Sequence, residues 1–217
     1  MIDDLLTSIQ LKLIKEQITN LIDNNELTMN DNNDINIRSD TLIWVNENNK
    51  IDNDDDHLLN AIRILRSIPY ELNMTYGVPM FCQLACFENN AKYVPHRDAP
   101  QTLSKSLSLS NLLLYLLSLL NTREYTLVLY LNDKVLDKEF GGKLRLYIEA
   151  DKDDVNGTSS DNIIDIEPLG GRLVMFNSRH LLHEVQESKH RRIALTLWIG
   201  SKPTLSSSLR RFIINNL

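Results

Sequence analysis

His96 and Asp98 stand two residues apart, and His183 follows 85 residues after Asp98. Two imidazoles and one carboxylate of this kind can share a single metal ion. Sharing demands a fold that leaves the neighbourhood of residue 98, builds a large part of its body, and returns to the same place. A jelly roll of two packed sheets meets that demand, because it gathers the ends of distant strands at one mouth.

The hydropathy pattern agrees. Residues 3–24 carry Leu6, Ile9, Leu13, Ile14, Ile18, Leu21 and Ile22 at helical spacing, which predicts an outer amphipathic helix. Asn24 to Asn36 is rich in Asn and Asp and reads as a loop. Thr41–Val45 predicts a strand, 46–56 a second polar loop, and 56–68 a helix with Leu58, Leu59, Ile62 and Leu65 on one face. From residue 79 the spacing changes to short strands at 80–87, 124–131, 142–148, 163–167, 172–177 and 191–199. Gly141-Gly142, Asn156-Gly157 and Gly170-Gly171 punctuate them. The expected class is α+β: a double-stranded β-helix (jelly-roll, cupin-like) core over 79–200, buttressed by an N-terminal helical region, 1–70, in a single domain of 217 residues. Residues 99–122 read as an insertion beside the metal motif, with Ser104–Ser118 almost entirely Ser and Leu. The acidic stretch 150–162 reads as a solvated loop, since it lacks the spacing and terminal Glu of a calcium loop.

Composition narrows the partners. A net charge of −6 argues against a general nucleic-acid or anionic-membrane binder. The longest apolar run, Leu112–Leu120 interrupted by Ser118, is too short to span a bilayer, and the acidic start Met1-Ile2-Asp3-Asp4 is unlike a secretory signal. Cys82 and Cys86 are the only cysteines. Four apart on a strand, they share a face yet lie too far apart for an easy disulfide, so buried free thiols in a reducing compartment are expected. The expectation is a cytoplasmic protein, with the nucleus also open, that has no nucleic-acid or membrane partner; the oligomeric state is undetermined.

His96 and Asp98 alternate with Arg97 on an extended segment, so both ligands point the same way. With His183 they leave three positions of an octahedral ion open, as non-haem Fe(II) oxygenases require. A 2-oxo acid can fill two and dioxygen the third. His180 competes with His183 as the ligand, and His57 and His190 are expected to be exposed. Arg192, nine residues past His183, opens the strand Ile193–Trp198, whose alternation puts Arg192, Ala194, Thr196 and Trp198 on one side. An inward arginine in an apolar barrel needs an anionic partner, and a bidentate carboxylate is the natural one. Tyr130 is placed to add a hydrogen bond to the same carboxylate, with ordinary aromatic packing as the alternative.

Tyr93-Val94-Pro95-His96-Arg97-Asp98 resembles the metal-binding turn of the Fe(II)/2-oxoglutarate prolyl 4-hydroxylases. Tyr130-Leu131-Asn132, Gly141 to Leu146, Asp165-Ile166-Glu167-Pro168, Arg172 to Phe176 and His183-Glu184-Val185-Gln186 continue the likeness in order. Ile37-Arg38-Ser39-Asp40 with Trp44, Arg123-x-x-Thr126 before Tyr130, and Arg rather than Lys at 192 resemble the cytoplasmic hypoxia-sensing (HIF-type) enzymes. The likeness covers roughly residues 35–200. It implies iron on His96, Asp98 and His183, and the distal carboxylate of 2-oxoglutarate on Arg192 and Tyr130. Thr126, Leu144, Val185, Thr196 and Trp198 would line the co-substrate pocket. Arg123 would face the substrate, and Arg38, Asp40 and Trp44 would organise the substrate-side wall or serve as a structural ion pair and a packed ring. The implied cofactors are Fe(II), 2-oxoglutarate and O2, with ascorbate as a helper. The implied partner is a proline-containing protein or peptide, and oxygen sensing is among the implied roles. Phe87 stands where relatives carry a tyrosine, and the Asn-rich loop before Arg38 matches none of the family's substrate loops. Oxygenase chemistry on another residue or a small molecule, and a non-catalytic binding domain of the same fold, remain as alternatives.

Overall fold

The computed structural model describes residues 1–29, 34–45, 56–72, 74, 78–99, 123–137, 139–148 and 162–200. The chain begins with α1 (Ser8–Asp23), β1 (Thr28–Met29), β2 (Thr41–Val45) and α2 (His57–Glu71). It continues with β3 (Val78–Phe87), β4 (Ala91–His96), β5 (Arg123–Tyr130) and β6 (Leu144–Tyr147). The remaining strands are β7 (Ile163–Ile166), β8 (Leu173–Asn177), β9 (Leu182–Ser188) and β10 (Arg192–Gly200). They form two antiparallel sheets, one ordered β1-β2-β3-β10-β5-β8 and the other β4-β9-β6-β7.

The central strands divide their side chains between two neighbours, which is why they read as continuous apolar runs. Leu127 and Leu129 of β5, with Leu195 and Leu197 of β10, join a core with Ile14 and Ile18 of α1 and Ile62 and Leu65 of α2. The alternate residues Val128, Tyr130 and Ala194 turn to the smaller sheet and meet Leu144, Leu146 and Ile166. Helices therefore cover one face of the larger sheet, and the smaller sheet covers the other, giving the double-stranded β-helix. Thr7 starts α1 with a capping box to Gln10, and Asp56 accepts from the Leu59 N–H to start α2. α2 runs through Pro69 to Glu71, three residues beyond the end expected from sequence.

The six strands expected beyond residue 79 all occur, with ends displaced by at most two residues. The supporting region is not wholly helical: β1 pairs with β2, and β2 pairs with β3 in the larger sheet. Two further strands, β4 and β9, were not anticipated, and they carry His96 and His183. Nearly all of the 99–122 segment and of the 150–162 loop lies outside the described residues. Cys82 and Cys86 are buried and free, and burial pushes both thiols up to about 12. His190 is exposed as expected, whereas His57 is half-buried at the start of α2. Among the described residues, no helix is long and apolar enough to cross a membrane.

Candidate active site

β4 and β9 pair so that His96 lies directly opposite His183. Asp98 follows two residues after the end of β4, and its Oδ1 lies 3.5 Å from His96 Nε2 and 3.8 Å from His183 Nε2. One potential ligand atom from each of the three residues falls within 4.8 Å of the others. The far side of each ring is also fixed. His96 Nδ1 lies 2.8 Å from the Val94 carbonyl oxygen and His183 Nδ1 lies 3.2 Å from that of Leu181. A carbonyl only accepts, so each Nδ1 carries the proton and each Nε2 presents its lone pair to the centre. Tyr93 stacks on His96 at 3.5 Å between centroids, and Phe176 tilts against His183 at 4.6 Å. Two neutral imidazoles and one carboxylate, without a thiolate, form a donor set suited to Fe(II) with open positions. His180 is exposed and stands outside this cluster.

Burial drives the His183 pKa down, to about 4, outweighing the pull of Asp98. Burial alone would raise the Asp98 pKa, but His183, His96 and the Thr126 hydroxyl together hold it well below the usual carboxylate range. At neutral pH the ionised Asp98 thus faces an uncharged His183, an arrangement ready for a cation. The metal-free protein should lose stability as pH falls from 6.5 to about 4. In that window the unfolded chain takes up a proton at residue 183 that the folded chain refuses. Melting temperatures recorded across the window should fall more steeply for the wild type than for His183→Gln; parallel curves would exclude His183 as the cause.

Arg192 lines the same pocket as the metal cluster, with the Tyr130 ring beside its guanidinium. Arg192 is buried, its Nε donates to the Gly142 carbonyl oxygen at 2.8 Å, and its guanidinium lies 4.9 Å from the Phe87 ring and 5.0 Å from the Tyr130 ring. Among the described residues no carboxylate pairs with it. The Tyr130 hydroxyl is buried beside the Arg192 guanidinium, and among the described residues no carbonyl or carboxylate accepts from it. A buried guanidinium and a buried hydroxyl, neither matched by an acceptor of adequate charge, fit an anion entering from the pocket. Gly142 shapes this end. At φ +63° a Cβ there would lie 2.5 Å from Ser188 Oγ and 2.9 Å from Arg192 Cδ, so only glycine lets its carbonyl reach the guanidinium. Leu144, Val185, Thr196 and Trp198 line the same pocket as Arg192 and the histidines.

The remaining expected residues divide. Arg38 and Asp40 form a two-point ion pair, 2.5 and 2.7 Å, and Arg38 also donates to Gln83 at 2.8 Å. Asp40 is buried, while Arg38 reaches the pocket and lies over Tyr93. Trp44 is exposed on the rim, its ring 5.6 Å from Trp198. Arg123 lies over the Trp198 ring at 4.2 Å and donates to the Asp98 carbonyl oxygen at 3.3 Å. Thr126 lines the pocket, but its hydroxyl is directed at Asp98 Oδ2, 2.6 Å away, and at Ser178. Sequence reasoning missed Gln83 and Ser178: one is a polar residue inside an apolar strand, which is a usable signal, and the other reads as an ordinary turn serine.

The model of the 2OG-Fe(II) oxygenase superfamily matches residues 82–200, which run from within β3 to the end of β10. A prolyl-4-hydroxylase from Pseudomonas putida is similar at 23% identity and TM-score 0.64, over 93% of this chain and 91% of that chain. A prolyl hydroxylase from Trichoplax adhaerens, solved with a hypoxia inducible factor oxygen degradation domain peptide fragment, is similar at 22% identity and TM-score 0.67, over 92% and 82%. A viral collagen prolyl hydroxylase from Paramecium Bursaria Chlorella virus-1, solved with 2OG, gives 16% identity and TM-score 0.58, over 93% and 94%. At these identities the likeness to the solved structures is one of fold.

Proposed function

The chain belongs to the 2OG-Fe(II) oxygenase superfamily, and on that premise we propose that it hydroxylates a proline in an intracellular protein. The family implies Fe(II), 2-oxoglutarate and O2. The observation that carries the assignment of residues is the buried Arg192, which has no carboxylate partner among the described residues and lines the same pocket as His96, Asp98 and His183. These three hold the iron. Arg192 and Tyr130 take the distal carboxylate of 2-oxoglutarate, while Thr126, Leu144, Val185, Thr196 and Trp198 enclose its body. Bound there, iron and co-substrate supply the oxidation: 2-oxoglutarate becomes succinate and CO2, and one atom of O2 enters a carbon–hydrogen bond of the substrate.

The protein's own part is placement. The Nδ1 contacts orient both imidazoles, the apolar lining excludes water, and Arg192 fixes the co-substrate from behind. On the substrate side, the exposed Trp44 offers an aromatic face of the kind a proline ring packs against. Arg123, Arg38 and Asp40 form the polar rim. The prolyl hydroxylase neighbours, one holding a peptide, favour a proline substrate. Ascorbate supports turnover by keeping the iron reduced, and the enzyme works in the cytoplasm or nucleus.

A panel of proline-containing peptides, incubated with the enzyme, Fe(II), 2-oxoglutarate, ascorbate and air, tests this reading by mass spectrometry. A gain of one oxygen atom located on proline is expected. Oxygen located on another residue would overturn the proline assignment. Co-substrate consumption with no modified peptide would point to a small-molecule substrate.

A further inference from the structure

Asp98 does not stand alone behind the metal site. Its Oδ2 accepts from the Thr126 hydroxyl at 2.6 Å, and Thr126 Oγ1 lies 2.7 Å from Ser178 Oγ. The direction of this chain is fixed by proton counting. The ionised carboxylate only accepts, so the single Thr126 proton points to Asp98, and the Ser178 hydroxyl must donate to Thr126. Both contacts are short and dry: Thr126 is 1% exposed and Ser178 0%. Ser178 also holds the ligand loop by its main chain. Its carbonyl oxygen accepts from the Ala99 N–H at 2.9 Å, and its N–H donates to the Glu124 carbonyl oxygen at 2.9 Å. With Oδ2 occupied, Oδ1 is the oxygen that faces both histidine Nε2 atoms.

We propose that Ser178 is a positioning residue of the metal centre, which acts through Thr126 to keep Asp98 a one-oxygen ligand and so sets the metal affinity of the site. The proposal rests on the reading that His96, Asp98 and His183 hold the metal. Without the relay, Oδ2 is free to turn toward the ion, and the carboxylate loses the bond that fixes its plane. Such outer partners typically change metal affinity by about 10- to 100-fold.

The test titrates metal-free protein with Co(II), reading the dissociation constant and the ligand-field bands of the bound ion, with melting temperature as a check on folding. Thr126→Val should raise the dissociation constant about 10- to 100-fold, and Ser178→Ala should raise it by a smaller factor, both with shifted bands. Thr126→Ser, which retains the hydroxyl, should bind as the wild type does. A merely structural role would lower the melting temperature without moving the bands. Wild-type affinity and bands in both Thr126→Val and Ser178→Ala would overturn the proposal, as would a Thr126→Ser that behaves like Thr126→Val. Asp98→Ala separates this from the reading beneath it. If Asp98→Ala loses Co(II) while the relay variants bind normally, the relay alone fails; if Asp98→Ala binds normally, the ligand assignment fails. Should Ser178→Ala not fold, the two Thr126 variants decide in the same terms.

Discussion

Asp98→Ala is expected to abolish succinate formation from 2-oxoglutarate, and His183→Ala to do the same. Asp98 is the only anionic ligand in the cluster, and its loss leaves two neutral imidazoles to hold a divalent cation. His183 is buried in the floor of the site, with Phe176 packed against its ring, so a water molecule has little room to replace the imidazole in the same place. Metal chemistry contributes several kcal/mol to the rate, and each ~1.4 kcal/mol is about a factor of ten, so the loss should be on the order of a thousandfold or more. Bound iron should fall in parallel when the purified proteins are assayed for metal. Near-wild-type turnover with full iron occupancy in either variant would remove that residue from the site.

Arg192→Met should weaken 2-oxoglutarate binding roughly 10- to 100-fold, since a charged hydrogen-bonded pair contributes about 1.5–3 kcal/mol. The same change should leave the melting temperature of the co-substrate-free protein unchanged or higher. In that state the guanidinium is buried between Phe87 and Tyr130, its Nε donates to the Gly142 carbonyl oxygen, no carboxylate pairs with it among the described residues, and replacing an unmatched buried charge by an apolar chain of similar length is often stabilising. Weaker co-substrate affinity at undiminished stability is a signature that a general packing defect does not produce. The concentration of 2-oxoglutarate giving half-maximal succinate formation checks the first part and a thermal melt the second. An unchanged half-maximal concentration would show that Arg192 does not anchor the co-substrate.

The chain wrote its scaffold plainly and part of its site obscurely. The β2 strand, Thr41–Val45, is legible to the residue, because a short β-branched and aromatic run lies between polar loops. The apolar strands β5 and β10 are legible because both of their faces are covered. β4 and β9 are not, and the reason is the site itself. In β9 the inward positions include His183, and its outward positions carry Glu184 and Gln186; in β4, Lys92 and Pro95 break the pattern and the pairing shifts register twice. A strand that turns ligands inward loses the alternation that would announce it. Arg192 was conspicuous for the opposite reason, as a charge at the head of an apolar run. The ion pair of Arg38 with Asp40 is one of the two readings that the family resemblance leaves open for them, but the Ser178 contact depends on the end of β8 meeting the loop after β4, and no local pattern encodes that meeting.

The place of β10 in the larger sheet bears on how the protein comes off the ribosome. It is the last described strand in the chain, yet it lies in the middle, with Arg192 opposite Phe87 of β3 and Ala194 opposite Tyr130 of β5. β3 therefore waits for about a hundred further residues before that edge is paired, roughly 5–20 s at ordinary rates of synthesis. During the wait Leu84 and Cys86 have no sheet neighbour on that side, and long-range pairings of this kind close slowly. Vectorial synthesis thus delivers the pocket all at once, when β10 slots between two strands that were made long before it.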